Sequence, residues 1–278
     1  MTSGAVRRPS LTRRAVAEAV GTGFLLAAVV GSGIMGERLA GGNVAVALLA
    51  NTLATGAALT ALILTFGPIS GAHFNPAVTL ADASQGGLQW SDVPPYLVAQ
   101  VFGAFGGVAA AHLMFGEPLF FASQHTRAGA AQIFSEFVAT FGLLTVIWGC
   151  TRLRSTVVAF AVGAYITAAY WFTASTSFAN PTVTLARSAS DTFAGIRPAD
   201  APAFIVAQLV GAGAATLLFR WLAPMASSDS MVTRSDGDPI GRHYGAEAQA
   251  HRGAHLGRCT DHTRRLSDQP GADNQSHA

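Results

Sequence analysis

Asn75-Pro-Ala-Val-Thr-Leu-Ala81 returns later in the chain as Asn180-Pro-Thr-Val-Thr-Leu-Ala186, and both copies lie in long stretches without charge. Residues 39–81 are 43 consecutive uncharged positions and residues 155–186 are 32. A membrane-crossing helix needs only about 20 apolar residues, so each stretch holds more than one helix. Asn is a strong helix N-cap, and Pro suits the first helical position, where its missing N–H leaves nothing unsatisfied. Each stretch therefore reads as a span, a break, and a short half-helix that starts at the Asn. Pro68 and Gly71 make the first break, and Asn180-Pro181 the second. Non-helical backbone at membrane depth is tolerated only when buried in protein or beside a water-filled cavity, so two such half-helices imply a cavity.

Outward from these motifs, two more blocks recur in the same order. Glu18-Ala-Val-Gly-Thr-Gly-Phe-Leu-Leu26 is echoed by Glu136-Phe-Val-Ala-Thr-Phe-Gly-Leu-Leu144, and Asp92-Val-Pro-Pro-Tyr-Leu-Val-Ala-Gln100 by Asp200-Ala-Pro-Ala-Phe-Ile-Val-Ala-Gln208. Apolar runs of spanning length, with at most one charged residue each, fall near residues 16–35, 43–66, 94–115, 130–150, 155–173 and 202–222. Each copy holds three spans, an odd number, so the second copy crosses the membrane upside down relative to the first. The fold class that follows is an all-α membrane protein with six transmembrane helices, two re-entrant half-helices and an inverted repeat. Gly103, Gly106, Gly107, Gly163, Gly211 and Gly213 suit close helix packing in lipid.

Composition agrees. Half of the 278 residues are hydrophobic and only 12% are charged, about half the share of a soluble domain. A formal charge of +2 on so apolar a chain leaves no basic face for nucleic acid. Cys150 and Cys259 make neither a disulfide framework nor a four-ligand metal site. Arg7, Arg8, Arg13 and Arg14 precede the first span, and Arg152 and Arg154 fill the short link between the fourth and fifth. Positive charge stays inside, so both termini are expected to be cytoplasmic.

The capping Asn side chains accept from their own helices through oxygen, which is expected to turn the NH2 groups of Asn75 and Asn180 toward the lumen as paired donors. Each helix N-terminus carries roughly half an elementary positive charge, so the narrow centre repels cations. Uncharged solutes rich in oxygen pass. These motifs resemble the aquaporin, or major intrinsic protein, family over about residues 14–224, with Ser70-Gly-Ala-His-Phe-Asn-Pro-Ala-Val-Thr79 carrying the likeness most closely. The resemblance implies repeats at 14–115 and 130–224, a pore in every chain, motif residues Asn75, Pro76, Ala77, Asn180, Pro181 and Thr182, no cofactor, no enzymatic activity, and a homotetramer in the bilayer.

The second motif departs from the family's Asn-Pro-Ala-Arg, because Val183 stands where the Arg of the outer constriction falls. Offsets from the two motifs place the remaining constriction positions at Thr55, Ala168 and Ser177, all small and none aromatic. Arg187, farther along the second half-helix, is expected to pair or to snorkel toward the interface. The Arg-less pattern resembles a bacterial aquaglyceroporin-like branch linked to arsenic resistance. That implies an inner-membrane channel for arsenite as neutral As(OH)3, with glycerol and water. A plain water and glycerol channel is the alternative within the class. Glu18 and Glu136, within spans at symmetric places, are expected to accept hydrogen bonds from the chain leading into each half-helix. The rival is a proton relay, which would make the protein a proton-coupled secondary transporter. His73 is expected to line the inner vestibule. Residues 1–13 form a polar N-terminal segment and residues 225–278 a polar tail expected to be disordered. Within that tail His251, His255, Cys259 and His262 lie at helical spacing, and residues 259–265 fit a Cys-x5-Arg pattern, but neighbouring glycines and the missing strand and helix argue against a metal site or an enzyme.

Overall fold

Lipid offers no partner to a backbone N–H or C=O, so an apolar segment that crosses it must close its hydrogen bonds within itself. In the computed structural model, which describes residues 9–224, the chain does this with eight α-helices and no strand among the described residues. They are α1 Leu11–Leu39, α2 Val44–Ser70, α3 Pro76–Ser84, α4 Val93–Phe115, α5 Ala130–Leu153, α6 Val158–Phe172, α7 Pro181–Arg187 and α8 Ala201–Leu222. Six of them, α1, α2, α4, α5, α6 and α8, are long and apolar enough to cross a membrane. The short α3 and α7 are the two half-helices, each opened by its Asn cap and a Pro in the first turn. The readings made of the tail, including the cluster from His251 to His262, lie outside the described residues.

One local expectation changes. Pro68 does not end α2; the helix runs through it to Ser70 and stops at Gly71, whose φ of 93° only glycine adopts freely.

Polar ties mark two opposite rims. On the rim where α1 begins, Arg14 pairs with Asp92 at 2.9 Å, Arg152 reaches Gln85 at 3.0 Å, and Arg220 reaches the Ser84 carbonyl at 2.6 Å. On the far rim, Arg38 pairs with Glu117 at 2.7 Å, and the link after α4 joins the segment after α7 through Phe121 N–H to Ala189 O at 3.2 Å. Large apolar side chains such as Phe24, Phe102 and Trp221 are exposed, as lipid-facing residues must be.

The repeat shows in the packing. α1 lies against α4 and α5 against α8. Gly103 of α4 sits on the backbone of Ala19 in α1, and Gly211 of α8 sits on that of Phe137 in α5; a Cβ at either would collide with a main-chain oxygen. Gly106 and Gly213, read as packing glycines, meet nothing within 4 Å, because they lie on the other face of their helices. Between these pairs α2 meets α6, and the six long helices leave a central space into which α3 and α7 dip from opposite rims.

Candidate functional site at the meeting of the half-helices

The chain leading into each half-helix is not helical, so its N–H groups need partners inside the membrane. Glu18 and Glu136 supply them. Glu18 accepts from Ser70 Oγ at 2.6 Å, His73 N–H at 3.0 Å, Phe74 N–H at 2.7 Å and Gln100 Nε2 at 2.9 Å. Glu136 accepts from Ser175 Oγ at 2.5 Å, Phe178 N–H at 2.9 Å, Ala179 N–H at 2.9 Å and Gln208 Nε2 at 2.6 Å. Both carboxylates are fully buried, and each accepts four donors, the number its oxygens hold comfortably. No place is left on either for a travelling proton without first expelling a donor, which counts against a relay. The glutamines reach on to the half-helices, Gln100 to Thr79 Oγ1 at 2.9 Å and Gln208 to Thr184 Oγ1 at 2.8 Å. Gln100 and Gln208 were visible in the repeated blocks, yet nothing in the pattern said what they would hold.

These contacts force unusual backbone. Ala72, Phe74, Ser177 and Ala179 have φ between 49° and 51°, a left-handed conformation that costs a non-glycine residue about 1–2 kcal/mol. The two members of each repeat match, so the strain belongs to the design of the lead-in.

At the bottom of each lead-in stands the capping Asn. Asn75 Oδ1 accepts from Ala77 N–H at 2.9 Å, and Asn180 Oδ1 accepts from Thr182 N–H at 3.0 Å and Val183 N–H at 3.3 Å. The amide nitrogens do more than the sequence suggests. Asn75 Nδ2 donates to Ala179 O and Asn180 Nδ2 to Phe74 O, both at 2.8 Å, so each half-helix is clasped to the other's lead-in. One N–H of each amide is thereby committed, and one remains. Both Asn line a cavity of about 470 Å³, so the remaining donors face its narrow middle.

The cavity wall is mostly apolar, with Leu25 and Val29 of α1 opposite Leu143 and Ile147 of α5. Thr55, Ser177 and Val183 line it as expected positions of the constriction, but Ala168 does not. On α6 the lining residues fall at Val158, Val162, Ile166 and Tyr170, one helical turn apart, and Ala168 lies on the outer, exposed face. Tyr170 instead donates its hydroxyl to Thr55 Oγ1 at 3.4 Å. An aromatic ring thus stands where a small residue was expected. The offset from Asn180 crosses the non-helical residues 173–179 after α6, and there the count lands on the outer face of the helix.

On the α1 rim, His73 lines the cavity, with Nδ1 3.2 Å from Thr79 Oγ1 and Nε2 3.5 Å from Asp82. On the far rim Arg127, missed as a structural residue, ties the loops together. Its N–H donates to Asp200 at 2.9 Å, Nε to Gly195 O at 2.8 Å and Nη1 to Ser175 O at 3.1 Å. Burial pushes the Arg127 guanidinium below the usual arginine range, opposed by the nearby Glu136 carboxylate. Asp200 is held below its ordinary 3.8, first by the Arg197 hydrogen bond at 2.8 Å and then by the Arg127 N–H. Arg187 neither snorkels nor forms an ion pair among the described residues; it is 2% exposed, lines the cavity, and lies 3.4 Å over the Phe178 ring. The described residues contain no group of three or more His, Cys, Asp or Glu able to hold a metal ion.

Six spanning helices around two half-helices, which meet N-terminus to N-terminus beside a polar-centred cavity, define a membrane channel protein. The chain belongs to the major intrinsic protein family, whose sequence profile matches residues 5–157 and 150–248. It is 57% identical over 212 residues to the aquaglyceroporin AqpS of Rhizobium meliloti, covering 76% of this chain and 91% of that one. It is also 35% identical over 167 residues to the aquaporin NIP3-1 of Oryza sativa subsp. japonica, covering 57% of this chain and 52% of that one. Among solved structures, the aquaglyceroporin from Plasmodium falciparum has the same fold, with a TM-score of 0.61 at 23% identity, over 77% of this chain and 98% of the other.

Proposed function

We propose that the protein passively conducts small uncharged hydroxylated solutes, glycerol and water among them, and arsenous acid as neutral As(OH)3. The observation that carries this reading is the clasp of Asn75 and Asn180, which leaves one amide donor from each at the centre of an apolar cavity. A solute with oxygen acceptors exchanges water for these donors there. Two converging helix N-termini place positive potential at the same point, so a cation gains nothing comparable. Similarity to an aquaglyceroporin supports a solute larger than water. Val183 supports it too, since an apolar residue in place of the family's Arg widens the constriction formed with Thr55, Tyr170 and Ser177. Arsenous acid is uncharged at neutral pH and carries hydroxyls on one centre, as glycerol carries them on a chain. The likeness to the branch tied to arsenic resistance favours it as cargo. The same reading has four chains assemble in a bacterial inner membrane with both termini in the cytoplasm, consistent with Arg14, Arg152 and Arg220 on one rim.

Stopped-flow light scattering on reconstituted vesicles, in gradients of water, glycerol and arsenous acid, tests the proposal. Val183→Arg is expected to reduce glycerol and arsenous acid flux by at least tenfold and water flux by far less. Equal loss of all three would refute the assignment of Val183 to the constriction.

A further inference from the structure

We infer that Arg187 supplies the cation of the outer constriction that Val183 lacks, as a solute-recognition residue whose guanidinium excludes cations and binds paired oxygens. This rests on the reading of the chain as a channel for neutral solutes. Val183 and Arg187 are four residues apart on α7, one helical turn, and both line the cavity. Helical side chains lean toward the N-terminus of their helix, which here points to the membrane centre. The contacts agree with that direction: Arg187 Cζ lies 3.4 Å from the centroid of Phe178, a residue of the lead-in before Asn180, and Nε donates to Ala194 O.

The guanidinium is buried without being used up. Of its five N–H donors only the one on Nε has a partner among the described residues. Nη1 and Nη2 have no partner among the described residues and are not sealed off, and Arg187 lines the cavity. Nor does any carboxylate of the described residues lie within ion-pair distance. Arg127 shows the contrast. It lies 5.0 Å over the same Phe178 ring, spends its donors on three backbone or side-chain oxygens, and does not line the cavity. One arginine is therefore a tie, and the other an unneutralised charge with a planar fork of free donors. Such a fork suits two oxygens held close together, as on a vicinal diol or an oxoacid. Its charge adds to the half-helix dipoles that repel cations.

The test uses the full chain in vesicles, with urea and guanidinium as a neutral and a cationic probe of nearly the same size and shape. The wild type is expected to carry glycerol and urea and to exclude guanidinium. Arg187→Gln should raise the guanidinium-to-urea flux ratio at least tenfold. Arg187→Lys should still exclude guanidinium but lower the glycerol-to-water flux ratio about threefold, because an ammonium cannot present a fork. Continued exclusion of guanidinium by the Gln variant, passage of guanidinium by the Lys variant, or a uniform loss of water, urea and glycerol flux in both would overturn the inference. The last result would make Arg187 a packing residue. Those results leave the channel reading intact, whereas a wild type that carries neither glycerol nor urea above protein-free vesicles refutes both.

Discussion

Replacing Glu18 with Gln changes one oxygen into an NH2 group and removes a charge, and the contacts allow the consequence to be worked through. Glu18 accepts from four donors, two on each oxygen. The oxygen that survives keeps two bonds, each weaker by about 1 kcal/mol once the charge is gone. The least costly placement turns the new NH2 toward Gln100, whose Oε1 has no other partner and can face it if the amide flips and gives up its donation to Thr79 Oγ1. Phe74 N–H then faces a donor, and an orphaned buried N–H costs about 1–3 kcal/mol. A neutral side chain is cheaper to bury, which offsets part of the loss and leaves a net of about 2–3 kcal/mol. At about 2–4 °C per kcal/mol for a chain of this size, the thermal midpoint in detergent should fall by roughly 4–12 °C. Flux should fall with it. Phe74 O receives Asn180 Nδ2, so a displaced Phe74 loosens the clasp at the centre, and water and glycerol permeation are expected to drop together. Glu136→Gln should repeat both effects, because its four donors match. A Glu18→Gln protein with an unchanged melting midpoint and full flux would refute the clamp. If wild-type uptake followed an imposed pH gradient and ignored a solute gradient, the channel itself would be the wrong idea and a proton-coupled transporter the right one.

Tyr170→Ala should speed glycerol and larger polyols several-fold, because it removes a ring from the cavity wall and its bond to Thr55, while Ala168→Leu, on the outer face, should leave every flux within twofold. The opposite pattern in vesicle swelling would restore Ala168 to the constriction. Asp200 titrates below its ordinary 3.8 because Arg197 and the Arg127 N–H hold it ionised, so the stability it contributes is present above that value and is lost as pH falls through the lower folded value. Melting midpoints measured from pH 7 down to pH 3 should show this contribution flat until about pH 4, and Asp200→Asn should remove the drop below it.

The architecture was legible because lipid enforces simple rules. Spans announce themselves by missing charge, and Asn75-Pro76 and Asn180-Pro181 name the first residues of the half-helices. Of the four positions read for the constriction, Thr55, Ser177 and Val183 line the cavity and Ala168 does not. Val183 and Ser177 lie within three residues of Asn180, so counting places them on the cavity. Ala168 is reached across the non-helical residues 173–179, and counting through them slips to the outer face of α6. Pro68 misled in the same way, since a proline in a last turn can be carried by the helix it enters. Directions of side chains were beyond reach. Sequence spacing cannot tell whether Arg187 leans toward the headgroups or back over Phe178, nor that half of each Asn amide is spent on the opposite repeat.

That exchange of amides has a consequence for how the protein is made. Asn75 has its acceptor on Ala179 and Asn180 has its acceptor on Phe74, so neither re-entrant segment owns a complete set of partners. While synthesis proceeds, the first three spans enter the bilayer with α3 lacking its keeper, and it cannot lock at depth until the ribosome has delivered α7. Biogenesis therefore ends in a single late fastening step, and a chain arrested between the repeats should leave a cysteine introduced into its first dipping segment, which has none of its own, open to water-soluble thiol reagents.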